Sequence, residues 1–180
     1  MRDEPWLTPD QQRVWRSYLA MTAALESRIE RDLQAAARMP HAYYQVLAML
    51  SEAPERSMRM TRLAELSQMS QSRLSHAMAR LEQAGWVRRE PAPDDRRGQL
   101  ARLTDAGHVR LTDVAPQHAD TVRSIMFDGL TDRQLHAFGE ICDLITDRAD
   151  ADDGARRAIR TERAGVLPAC GAEQAQSHGG

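Results

Sequence analysis

Seven polar side chains between Ser70 and Arg80 have the chemistry to read another molecule through hydrogen bonds: Ser70, Gln71, Ser72, Arg73, Ser75, His76 and Arg80. Among them Leu74, Ala77, Met78, Leu81 and Ala84 recur at three- and four-residue spacing. A helix over this stretch therefore buries one face and offers the polar set on the other. No acidic residue occurs in it before Glu82. Such a set suits a nucleic acid: the Arg73 guanidinium can donate bidentately to guanine O6 and N7, the Gln71 carboxamide matches adenine, and serine hydroxyls suit phosphate oxygens. A second group follows in P-A-P-D-D-R-R-G, where Arg96 and Arg97 stand beside Gly98. Arginines at the tip of a narrow hairpin have the shape and charge to enter a DNA minor groove.

These groups need a scaffold, and the surrounding sequence supplies its boundaries. Ser70 is placed to cap the helix that carries the polar set, and Gly85 supplies the left-handed residue that ends it. Trp86–Glu90 and Gln99–Leu103 alternate as strands on either side of the turn, which makes a β-hairpin. Before Ser70, Thr61 is expected to cap a short helix with Leu63, Ala64 and Leu66 inward, and Ser67-Gln68-Met69 forms the turn between the two helices. Two short helices around a tight turn, the second with a basic free face, form a helix-turn-helix, and the hairpin makes it winged.

Longer helices flank this head. Thr8-Pro9-Asp10-Gln11 combines a capping box with a proline at the first helical position. Trp15, Leu19, Thr22, Leu25, Ile29 and Leu33 then follow helical spacing to about Ala37, before Pro40 stops the helix. His41–Ser51 reads as a shorter helix and Ser57–Met60 as a short strand. Thr104-Asp105-Ala106-Gly107 opens a second long helix, which Pro116 is expected to kink and Gly129 to close. A further capping box, Thr131-Asp132-Arg133-Gln134, starts a last helix with Leu135, Phe138, Ile141, Cys142 and Ile145 in its stripe, reaching about Arg148. The fold expected is mainly α with a small β-hairpin wing: a winged helix-turn-helix at 41–103, with a helical dimerisation module from 1–40 and 104–150. The Asp-, Arg-, Ala- and Gly-rich residues 151–180 read as a flexible tail.

Charge sharpens this picture. The chain of 180 residues carries a net charge of -2, yet residues 56–102 hold ten arginines against five acids, a local +5 that leaves -7 elsewhere. A basic block inside an acidic protein is a localised electrostatic footprint for nucleic acid. No apolar run approaches the ~20 residues of a membrane span. The N-terminus M-R-D-E-P-W lacks the apolar core of a signal peptide, so a cytoplasmic protein is expected. The histidines have no convergent spacing for a metal, the glycines form no phosphate loop, and no motif ties a serine to a base. Neither an enzyme nor a cofactor is expected. Cys142 and Cys170 are too far apart to suggest a disulfide framework, and Cys142 reads as a small core residue.

Over roughly residues 8–148 the chain resembles the MarR family of bacterial winged-helix regulators, most specifically in R-L-E-Q-A-G-W-V-R-R followed by P-D-D-R-R-G-Q-L-A-R-L-T-D-A-G. The resemblance implies a homodimer in which the first, fifth and sixth helices interlock and the fourth enters the major groove of double-stranded DNA at an inverted-repeat operator. It implies that Ser70, Gln71, Ser72, Arg73, Ser75 and His76 face bases and phosphates. Arg97 matches the arginine at the wing tip, and Asp95 the acid that holds it. It further implies a small aromatic or phenolic effector, for which Trp15, Tyr18, His41, Tyr43 and Tyr44 are the candidates, and repression as the mode of regulation. The family also has a peroxide-sensing branch with a reactive cysteine early in the first helix, where this chain has none. Alternative readings of the same fold are a protein-docking or architectural module and a metal- or thiol-responsive sensor.

Overall fold

A computed structural model describes residues 6–92 and 95–149, without the side chains of 95–97. The expected tail over 151–180, with Cys170, lies outside the described residues. In chain order the elements are α1 (Pro9–Ala37), α2 (His41–Glu52), a 3-10 turn (Pro54–Arg56), β1 (Ser57–Arg59), α3 (Met60–Ser67), α4 (Gln71–Gln83), β2 (Val87–Ala92), β3 (Asp95–Leu103), α5 (Asp105–Val122), a π-helical turn (Arg123–Phe127) and α6 (Asp132–Ala149).

Both capping boxes that the sequence marks are formed. At the start of α1 the Thr8 hydroxyl accepts from the Gln11 amide at 3.3 Å, while the Gln11 side chain accepts from the Thr8 amide at 3.0 Å. Thr131 and Gln134 repeat the arrangement before α6. Of the 29 residues of α1, about 44 Å of helix, only Ile29, Leu33 and Ala37 are buried. The first half of the helix stands clear of the core.

The core lies in the head. Val46, Leu47 and Leu50 of α2 pack with Leu63 and Leu66 of α3, with Leu74, Met78 and Leu81 of α4, and with Met58, Val87, Ala101 and Leu103 of the strands. Leu111 and Val114 of α5 join it, so the second long helix is rooted in the head. Each wholly buried leucine contributes about 1.5–3 kcal/mol of transfer free energy. Beneath them the sheet is antiparallel with order β1-β3-β2.

Four local expectations are corrected. First, α3 begins at Met60, with Arg59 at its N-cap and no side-chain cap, so Thr61 is not the capping residue. Second, the hairpin is longer than alternation predicts. Pairing runs from Val87↔Leu103 to Pro91↔Gln99 and then jumps to Ala92↔Asp95, which skips Arg96, Arg97 and Gly98. Those two arginines therefore belong to the irregular end of β3 and not to a free turn. The tail of the hairpin could not be seen in the sequence because Pro91, which lacks an amide proton, and the polar run after it carry no strand pattern. Third, α5 continues through Pro116 but gives way at Arg123 to the π-helical turn, where a single helix to Gly129 was expected. Fourth, Cys142 is exposed, not a core residue, because α6 buries none of its residues against this chain.

One close approach fixes α5 on the head. A Cβ on Gly107 would lie 2.0 Å from the Trp86 carbonyl oxygen, so no other residue fits that first turn without a backbone shift. Thr104 reinforces the junction, accepting from the Gly107 amide at 3.0 Å and donating to the Gly85 carbonyl at 2.7 Å.

Candidate nucleic-acid interface

The polar set is presented by a well-anchored helix. Gln68 takes the left-handed conformation, at φ 55°, that ends α3 and turns the chain toward α4. The Ser70 hydroxyl then accepts from the Arg73 amide at 3.3 Å and lies 3.1 Å from the Ser72 hydroxyl. Leu74, Ala77, Met78 and Leu81 are buried, whereas Ala84, expected on the same face, is exposed because it lies at the C-cap where the helix ends; Ser70, Gln71, Ser72, Arg73, Ser75, His76 and Arg80 are all exposed. Arg80 donates to the Gln83 side chain at 3.3 Å. Arg73 and His76 have no side-chain partner among the described residues, which leaves both free for a ligand.

The hairpin is clamped to the end of this helix. Arg89 donates its backbone amide to one Glu82 oxygen and its Nε to the other, both at 2.9 Å. The Arg89 guanidinium holds the Glu82 carboxyl below its ordinary range. Arg102 donates to Glu90 at 3.1 Å and to the Glu55 carbonyl at 3.0 Å, and Arg88 pairs with the same Glu90. Arg56 pairs with Asp105 at 3.3 Å and Arg62 with Glu65 at 3.1 Å. At least five arginines of the basic block, Arg56, Arg62, Arg88, Arg89 and Arg102, are thus engaged in ion pairs within the head or at its edge. Charge counting could not separate bracing from presenting residues, because the partners Glu82, Glu55 and Asp105 become neighbours only through the fold. The side chains of Asp95, Arg96 and Arg97 lie outside the described residues; their backbone stands at the end of β3 farthest from the core.

The five residues expected around an effector do not converge within one chain. Trp15 and Tyr18 stack on each other at 5.7 Å, on the exposed half of α1. His41 and Tyr44 instead meet His118 of α5, whose ring lies 5.6 Å and 4.2 Å from theirs. Tyr43 turns away from both, into a groove against α4 with Met69, Ser72, Arg73 and His76. His118 escaped sequence reasoning because its partners are 74 and 77 positions away and no helical spacing connects them. No group of three or more His, Cys, Asp or Glu side chains able to hold a metal occurs among the described residues.

Burial, with the nearby His41 adding to it, pushes His118 down to about 4, and burial lowers His41 too despite Glu30 and Glu26. Between pH 6.5 and 4 the unfolded chain therefore takes up a proton at position 118 that the folded chain refuses, so stability falls as pH drops through that window. Glu52, which burial raises to about 7, acts in the opposite direction between 7 and 4.5. The His118 contribution is isolated by difference. Relative to a His118→Phe variant that keeps the ring contact, the wild-type chain is expected to lose about 1–2 kcal/mol from pH 6.5 to 4, after discounting for partial exposure. Urea midpoints across that range measure it, and parallel pH curves for the two proteins would refute it.

Two features join the long helices to each other, and the first of them also ties them to the head. The Arg110 guanidinium donates to the Ala37 carbonyl at the end of α1 and lies 5.5 Å from the Trp86 ring centroid, bridging α1, α5 and the start of the hairpin. Asp32 of α1 accepts from Thr121 of α5 at 3.0 Å and pairs with Arg28. Beyond these contacts the long helices leave an open apolar groove of about 680 Å³, lined by Leu25, Ile125, Met126, Leu130, Phe138 and Ile141. Ile141, Leu144 and Ile145 are each half exposed or more. No helix among the described residues is long and apolar enough to cross a membrane.

Comparison with known proteins places this geometry. The model of the MarR family matches residues 39–98, the head alone. The HTH-type transcriptional regulator PecS of Dickeya dadantii (strain 3937) is 37% identical over 65 residues; the match spans 36% of this chain and 39% of that protein. Sco3205 of Streptomyces coelicolor, a MarR family transcriptional regulator whose structure was solved in complex with DNA, is 50% identical with a TM-score of 0.76. That alignment covers 81% of this chain and 92% of Sco3205. AbsC, a MarR family transcriptional regulator from the same organism, is 36% identical with a TM-score of 0.76, covering 82% and 99%.

Proposed function

Since the chain belongs to the MarR family of transcriptional regulators, we propose that it is a homodimeric repressor of transcription that binds double-stranded DNA at an inverted-repeat operator. The observation that carries this reading is the exposed polar face of α4, with Gln71, Arg73 and His76 free of the core and unclaimed by the ion pairs that brace the hairpin. Residues 41–103 serve as the DNA-reading head and the long helices as the dimerisation module. In this reading α4 enters the major groove, Gln71 and Arg73 meet base edges, and the serines, His76 and Arg80 meet phosphates. Arg96 and Arg97 reach the minor groove, with Asp95 steadying Arg97. That Sco3205, 50% identical over an alignment covering 81% of this chain, was solved in complex with DNA supports DNA as the partner.

Homodimerisation is supported by the apolar surface that one chain leaves open. The first half of α1, with the Trp15–Tyr18 stack, and the whole of α6 bury nothing, and the groove between α1, the π-helical turn and α6 is apolar. Surfaces of this kind mark a partner. A small aromatic effector would act at the His41–Tyr44–His118 cluster, between the head and α5, where its insertion alters the spacing of the two heads.

Gel-shift titrations over a salt series, on an inverted repeat recovered by selection and on its scrambled form, test the function. Expected are tight binding to the repeat, weaker binding to the scramble and a steep loss of both as salt rises, because several phosphates release counterions. Equal affinity for the two duplexes, or binding indifferent to salt, would favour a docking or architectural role instead.

A further inference from the structure

Tyr43 is the candidate effector residue that the fold sends elsewhere. Its ring packs against the head core while lining a groove of about 330 Å³ with Ala42, Met69, Ser72, Arg73, His76 and Ala77. The groove runs between the first turn of α2 and the polar face of α4, so it is continuous with the proposed base-reading surface. Its polar groups are a phenol, a serine hydroxyl, a guanidinium and an imidazole, with no carboxylate among the lining residues. Neither Tyr43, Arg73 nor His76 has a side-chain hydrogen-bond or ion-pair partner among the described residues. A group of donors with no acidic member, open to solvent beside a base-reading helix, fits an anion that only accepts hydrogen bonds.

From this geometry we infer that the groove seats one backbone phosphate of each half-site, with the Tyr43 hydroxyl donating to a phosphate oxygen alongside Ser72 and His76. The inference rests on the proposal that α4 reads DNA. When α4 lies in the major groove, one sugar-phosphate strand must pass along its flank, and the α2 side offers this donor set. Tyr43 then fixes the register of α4 without reading sequence, and Arg73 reaches past it to the base edge.

Tyr43→Phe is the informative variant, because the partly buried ring keeps its packing on the core and only the hydroxyl is lost. Its affinity is measured for the operator, for random duplex, and for operators carrying a neutral methylphosphonate at each backbone position in turn. The variant is expected to bind operator and random duplex about fivefold more weakly than the wild type, by the same factor for both, as a phosphate contact requires. At one position per half-site the methylphosphonate should weaken binding by the variant distinctly less than binding by the wild type, because the hydroxyl contact is already gone while Ser72 and His76 remain. Wild-type affinity in Tyr43→Phe, or penalties that add at every backbone position, would overturn the inference. Failure of the wild-type protein to bind any duplex would instead overturn the proposed function.

Discussion

Replacing both Ile141 and Ile145 by aspartate is expected to leave a folded monomer whose operator affinity is reduced roughly 10²–10⁴-fold, the loss that follows when two linked half-site contacts become independent. Both side chains are more than half exposed in the single chain, and neither belongs to the head core. The head therefore keeps its packing and the chain its helicity. In a two-fold dimer every interface residue is used twice, so four carboxylates would be driven into an apolar contact, each costing several kcal/mol unless it stays protonated. Sedimentation should show one species of about half the wild-type mass, with circular dichroism unchanged. A stable dimer in this variant would mean that α6 is not the pairing surface.

The second large effect is expected at Arg73. Its amide is tied to the Ser70 hydroxyl, which fixes the first turn of α4, while its guanidinium has no partner among the described residues. Arg73→Ala should weaken operator binding by about 1–3 kcal/mol, should weaken random-duplex binding less, and should relax the preference at one base pair of each half-site. Arg73→Lys should not restore that preference, because a single ammonium cannot reproduce the two-pronged contact with guanine. Selection of bound sequences from a random pool reads out the preference directly. An alanine variant with unchanged base preference would place Arg73 on the backbone instead.

These expectations rest on parts of the protein that were unequally visible in its sequence. The order of helices, both capping boxes, the Ser70 cap, the left-handed Gly85 and the buried face of α4 follow from local spacing and cap chemistry, and the structure contains all of them. Local rules failed where the controlling partner is distant. The Glu82–Arg89 clamp, the Arg110 bridge and the His118 contact with Tyr44 join elements that only the fold brings together. They also failed for Cys142, which reads as a small core residue on the stripe of α6 although it is exposed in one chain. An amphipathic pattern records that a face is covered and says nothing about which molecule covers it. Tyr43 shows the same limit at the site itself: three aromatic positions within four residues of α2 look equivalent, yet the helix turns His41 and Tyr44 toward α5 and Tyr43 toward α4.

The measurement that bears most directly on a dimer reading DNA through two α4 helices is the affinity for an operator whose half-sites have been moved apart. Two-fold symmetry sets the recognition helices about one helical turn, or roughly 10 bp, from centre to centre. Inserting five base pairs between the half-sites rotates one of them to the opposite face of the duplex while leaving every base contact in place. Binding should fall close to the non-specific level with the five-base-pair insertion. Undiminished affinity would contradict the account, because it would mean that the two heads are not held at a fixed separation by the helices that flank them.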